Sequence, residues 1–176
     1  KMFINVNTMV SVEDLIRGII VQSGNDACIA IAEGISGSEE LFAEELNLIA
    51  KEIGMMNSSF TNSTGWPDPD HLTTIQDLLT LTVRTIEDFP ELYYYYAENE
   101  FTYSGIRQLN RNPLLFNEIN ADGLKTGHTS LGGYGLVASV LKNNRRLILI
   151  LNGLKGNKDR SNESERLIKV GFNQYK

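Results

Sequence analysis

Two clusters of polar residues stand out in this chain, Ser23-Gly24-Asn25 and, far downstream, Lys125-Thr126-Gly127-His128. A serine and an asparagine held between apolar helices need partners, because an unpaired buried polar group costs about 1–3 kcal/mol. A site that used them would supply those partners. On a strand, Gly127 leaves room for another backbone, and an edge strand there can pair with an extended peptide. Lys125 offers a positive charge, for a carboxylate or for tuning a proton relay. A terminal carboxylate also suits a bidentate guanidinium, and Arg111 and Arg160 are the candidates. Each signal has a plain alternative. Ser-Gly-Asn is a turn tripeptide, Lys-Thr-Gly is common, His128 can be a strand-end histidine without chemistry, and either arginine can be a solvated surface residue.

The elements that must position these residues can be read from periodicity. Residues 1–10 suggest a short strand and a turn. Ser11-Val12-Glu13-Asp14 resembles a capping box, and Val12, Leu15, Ile16, Ile19 and Ile20 recur at helical spacing. That helix runs into Ser23-Gly24-Asn25, where the glycine breaks it. The next helix, Asp26 to about Ile35, is apolar nearly all round and is expected to be buried, Cys28 with it. A third helix starts after Ser38, with Glu39 and Glu40 favoured in its first turn, and ends at Gly54. Residues 55–72 read as a long irregular loop of the kind that often carries function. Thr73 and Gln76 mark a capping box for a helix from Thr74 to about Glu87, and a shorter helix carries Tyr93 to Tyr96.

Beyond Glu100 the period shifts toward two. Phe101–Tyr103 and Leu124–His128 are strand candidates. Tyr134–Leu141 and Arg146–Asn152 form a hairpin turning at Asn143-Asn144. An amphipathic helix, Glu163 to Phe172, closes the chain. A helical first half, then an antiparallel sheet and a covering helix, is the α+β pattern. On strict alternation Lys125 and Thr126 face opposite ways, so both serve one site only at a sheet edge or where twist helps.

Composition narrows the function. The 176 residues are 41% hydrophobic and 22% charged, which fits one folded domain rather than disorder. A net charge of −6 disfavours nucleic-acid binding, which needs a basic face. A single cysteine excludes an internal disulfide. The two histidines, His71 and His128, sit in no metal-binding spacing, so no metal or other cofactor is expected. No apolar run reaches membrane-spanning length.

Longer blocks carry a specific resemblance. Leu15-Ile16-Arg17-Gly18, Gln22 through Cys28, Gly105 through Asn112, Asp122 through Thr129 and Gly133 through Ser139 are similar to the low-molecular-mass penicillin-binding proteins, the serine-type D-alanyl-D-alanine carboxypeptidases. The resemblance implies a β-lactamase/transpeptidase-like α+β fold in which residues 1–176 form a partial catalytic domain, a helical cluster on an antiparallel sheet. It implies that an S-x-x-K serine attacks the D-Ala–D-Ala amide of a peptidoglycan stem peptide, with the lysine of that motif as base. Ser23 would then relay a proton to the leaving amine, Asn25 would hold a substrate carbonyl, and Lys125 would hydrogen-bond Ser23. Thr126, Gly127 and His128, with Arg111 or Arg160, would bind the peptide or its carboxylate. β-Lactams would be ligands, and nucleic acid would not. The setting implied is extracytoplasmic and bacterial, with any membrane anchor outside this chain.

The resemblance also places S-x-x-K upstream of Ser23, ahead of Lys1. Without that segment, the chain is expected to be inactive alone and loosely folded. Ser139-Val140-Leu141-Lys142 fits the pattern literally, but it follows the third motif and lies in an alternating strand. There residues i and i+3 face opposite ways, whereas a helix would align them. An endopeptidase that cuts crosslinks would use the same motifs, and two further rivals remain. A class A β-lactamase prefers Ser-Asp-Asn and needs a loop glutamate, and residues 55–72 hold none. The other is an inert domain that binds peptidoglycan or a partner.

Overall fold

The computed structural model describes residues 1–175. Helix α1 spans Val12–Ile20, and its first turn is capped by Ser11, whose hydroxyl accepts from Asp14 N. Helix α2 covers Asn25–Ser36 and ends at Gly37, with φ of 85°. Helix α3 runs Glu39–Glu52 behind a Ser38 cap. Helix α4, Ile75–Asp88, is capped by Thr74 rather than Thr73, through Asp77 N. Tyr93–Ala97 forms a 3₁₀ turn, as does Pro113–Phe116.

Strands β1 (Glu100–Tyr103) and β2 (Ile106–Leu109) make a separate hairpin. The second strand goes unread in the periodicity. Ser104 and Gly105, both with positive φ, supply the tight turn that joins it to the first. The main sheet has the order β3-β4-β5, all antiparallel, from Ala121–Thr129, Gly133–Lys142 and Arg145–Leu154. Asn143 and Asn144 turn the last hairpin with φ of 52° and 59°, as the asparagine pair implies. Helix α5, Asn157–Gln174, starts earlier than its apolar pattern suggests, because its first turns are polar.

The core lies between this sheet and α5. Leu136, Ala138 and Val140 of β4 pack with Leu114 and Ile168, all nearly inaccessible. Fully burying one such aliphatic side chain contributes about 1.5–3 kcal/mol. β4 is the central strand, so β3 presents a free edge.

Three local expectations are corrected. Residues 1–5 form no strand. Their N–H groups are taken by one carboxylate: Met2 N and Phe3 N each donate to Asp26 at 2.7 Å, and Ile4 N at 3.2 Å. Helix α2 is not buried all round. Ala27 and Ala32 are inaccessible, Ile35 is exposed and Cys28 is half-buried. The helix packs on α1, α3 and the first residues, and its last turn, Glu33 to Ile35, stays exposed. Finally, it is Ser23, at φ of 51°, that turns the chain after α1, and not the glycine.

Asp26 therefore ties the first residues to α2. Burial works against its charge, but the donors Met2, Ile4 and Phe3 outweigh it and hold its pKa below the usual carboxylate value. A depressed folded-state pKa contributes stability above the unfolded-state value, and that stability is lost as pH falls through the folded value. Asp26→Asn is expected to cost about 1.5–3 kcal/mol, the worth of a charge-assisted hydrogen bond. Urea unfolding at pH 7 should register that loss, and the gap to wild type should close in strong acid.

Candidate active site

The turn after α1 brings Ser23 to the mouth of a cleft. A serine in the left-handed region is uncommon and costs about 1–3 kcal/mol, so the surrounding structure must hold it there. One tie is Gly24 N, which donates to Gly18 O at 2.9 Å. Gly24 is needed for space: a Cβ there would sit 3.1 Å from the Met2 backbone nitrogen and 3.0 Å from Asp26 Oδ1. Asn25 opens α2 and lines the same cleft.

From the opposite side comes β3. Lys125 Nζ donates to Ser23 Oγ in a short hydrogen bond, and to Thr126 O at 2.9 Å. This single contact joins residues 102 positions apart. The cleft has a volume of about 790 Å³ and is lined by Ser23, Asn25, Lys125, Thr126, Gly127, His128, Arg111 and Arg160. All eight residues singled out in the sequence thus meet in one place. Lys125 and Thr126 both reach it because β3 is an edge strand. A Cβ on Gly127 would meet nothing within 4 Å, so its absence keeps the strand edge open to an incoming backbone.

The two arginines differ. Arg111 is exposed, as the plain reading has it. Arg160 is not a surface arginine: it is only 5% exposed. Its guanidinium donates to Asn157 Oδ1 at 2.5 Å, and to Gly135 O, Arg111 O and Gly127 O at 3.3, 3.4 and 3.5 Å. The carbonyl contacts are longer than the usual 2.9–3.0 Å. It also lies over the Tyr134 ring, with its centre 5.5 Å from the ring centroid. Tyr134 in turn stacks on His128 at 4.0 Å.

Three cations therefore share the cleft, and no carboxylate lines it among the described residues. Burial, then the charges of Arg111 and Arg160, push the Lys125 amine down to about 8. Such a site suits an anion, and a lysine poised near neutrality suits proton transfer.

Sequence reasoning left four contributors unnamed. Asn157 orients Arg160, and Tyr134 supports both His128 and Arg160. Thr64 and Gly65 of the long loop form part of the wall. The loop's length was the available signal for the last pair. Ser139 lies apart, fully buried on β4 and bonded to Arg146. No group of side chains that could hold a metal occurs among the described residues.

Comparison with known proteins shows the family. The family model described as D-alanyl-D-alanine carboxypeptidase matches residues 1–155. The chain belongs to the D-alanyl-D-alanine carboxypeptidase family. Within that family, it is 46% identical to the D-alanyl-D-alanine carboxypeptidase DacA of Haemophilus influenzae, over 99% of this chain and 45% of that protein. Penicillin-binding protein 5 of the same organism superposes with a TM-score of 0.94 at 46% identity, over 98% of this chain and 51% of that one. Penicillin-binding protein D2 of Listeria monocytogenes, solved in an ampicillin-bound form, gives 0.84 at 29% identity, over 92% and 68%. The chain spans about half the length of the curated relatives it matches. These carboxypeptidases share the penicillin-binding α+β fold seen here, helices on an antiparallel sheet.

Proposed function

We propose that this chain forms the peptide-binding and proton-relay part of a serine-type D-Ala-D-Ala carboxypeptidase that removes the terminal D-alanine of peptidoglycan stem peptides. The observation that carries this reading is the Lys125–Ser23 hydrogen bond inside a cationic cleft beside a free strand edge. The substrate lies along β3 as an extra strand. Its terminal carboxylate meets Thr126 and Arg160, whose long contacts to carbonyls yield to an ionised oxygen. Asn25 holds a carbonyl of the peptide.

The nucleophile belongs to an S-x-x-K segment. An apolar groove of about 430 Å³ behind β3, lined by Ile19, Ile20, Leu78, Leu81 and Leu136, reaches Lys125 and Thr126. An amphipathic helix bearing S-x-x-K would bury its apolar face there. Its serine oxygen adds to the carbonyl carbon of the penultimate residue, and its hydroxyl proton passes to the lysine of that motif. Ser23 delivers a proton to the leaving nitrogen, the C–N bond breaks, and D-alanine departs. Water then hydrolyses the ester. A penicillin, whose strained amide is opened by the same serine, stays attached. The substrate places this chemistry on the outer side of a bacterial cytoplasmic membrane.

Intact mass after incubation with a penicillin tests the reading. The chain alone is expected to gain nothing, and the chain joined to an S-x-x-K segment to gain one penicillin mass. An adduct on the chain alone would make a serine here the nucleophile. The absence of an adduct on either would leave an inert peptidoglycan-binding domain.

A further inference from the structure

Next to the cleft, past His128, lies a second hollow of about 260 Å³ walled by Trp66, Pro67, Thr129 and Ser130. It shares Asn25, Thr64, Gly65 and His128 with the main cleft, so the two are continuous. Trp66 is the chain's one tryptophan and stands 68% exposed. A large indole left in water is informative when it edges a binding cleft.

The backbone that carries the indole is also held in place. Asn62 Oδ1 accepts from Trp66 N at 3.0 Å and from Thr64 N at 3.1 Å, while Asn62 Nδ2 donates to Trp66 O at 3.0 Å. Ser63 N and Oγ donate to Glu39 Oε1 at 3.0 and 2.6 Å, which pins the loop to α3. A loop ordered in advance pays less entropy when its aromatic side chain is covered.

We propose that this hollow is a specificity subsite, in which Trp66 takes the aliphatic side chain of the third residue from the C-terminus of the bound peptide. The assignment rests on the reading of the cleft given above. With the carboxylate at the Arg160 end, the peptide runs antiparallel to β3. Its last residue then lies across Gly127, the penultimate across His128 and the third across Thr129, at about 3.4 Å per residue. Thr129 belongs to the wall shared with Trp66. No aspartate, glutamate, lysine or arginine lines the hollow, so an uncharged hydrocarbon stem fits it.

Two peptides test this on the enzyme that carries the S-x-x-K segment, with the serine of that motif changed to alanine so that neither is cleaved: N-acetyl-norleucyl-D-Ala-D-Ala and N-acetyl-glycyl-D-Ala-D-Ala. Calorimetry gives their affinities, and the Trp66 indole N–H signal, assigned by its loss in Trp66→Ala, reports the hollow by NMR. The norleucyl peptide is expected to bind about tenfold more tightly, the gain from covering roughly two methylenes, and to shift the indole signal. The glycyl peptide should bind without that shift. Trp66→Ala should bring the norleucyl peptide down to the affinity of the glycyl one. Equal affinities with a silent indole would overturn the subsite and leave the cleft reading standing. Failure of both peptides to bind would overturn the cleft reading, and the subsite with it.

Discussion

Lys125→Ala is expected to slow acylation by a penicillin about 10²–10⁴-fold in the enzyme that carries the nucleophile, the range for loss of a proton-transfer group. Among the described residues, Lys125 is the one cation whose amine touches the Ser23 hydroxyl, so its loss would break the proposed relay without emptying the core. The pH profile gives a second readout. With a folded-state pKa of about 8, the free enzyme should lose second-order acylation rate above pH 8 as the amine gives up its proton. The sign for stability follows from the same value. Between about 8 and the unfolded-state value of about 10.4, the unfolded chain binds more protons, so stability rises with pH there. At pH 7 the charge is thus carried at a cost to the fold. Lys125→Met should therefore melt no lower than wild type while losing acylation. A variant that melts much lower would make Lys125 a structural residue.

Arg160→Ala is the other large effect. Its guanidinium is the buried cation at the end of the cleft where the proposed substrate would seat its carboxylate, ordered by Asn157 and the Gly135 carbonyl. Removing a charge-assisted bond worth about 1.5–3 kcal/mol should lower kcat/KM for a carboxylate-ended peptide about 10- to 150-fold. A peptide ending in a carboxamide has no charge to lose. The two substrates, compared in wild type and variant, separate recognition from collapse of the fold. Recognition predicts that the preference for the carboxylate disappears. An equal fall for both substrates would mean that Arg160 only supports β3 through Gly127 and β4 through Gly135.

Much of the framework was legible because local rules fixed it. Ser11 and Ser38 cap helices where hydroxyls precede apolar periodicity. Asn143-Asn144 turns a hairpin because both residues tolerate positive φ. The first residues were misread as a strand because alternation reports which side chains can share a face, not which group takes the backbone donors. Here Asp26 took them. Helix α2 was read as buried because apolar composition says what a surface tolerates and not how many neighbours arrive.

By itself the sequence determined the residue types of the site and the family they resemble, since Ser23-Gly24-Asn25 and Lys125-Thr126-Gly127-His128 keep their order and setting in any fold the chain adopts. It also determined a net charge of −6. Only the tertiary structure decided that this acidic chain gathers Lys125, Arg111 and Arg160 around one cleft, that Arg160 is buried, and that Trp66 stands beside His128. The reason is physical: spacing along a chain sets local geometry, whereas field and burial come from groups brought together across a hundred residues, and those depend on packing.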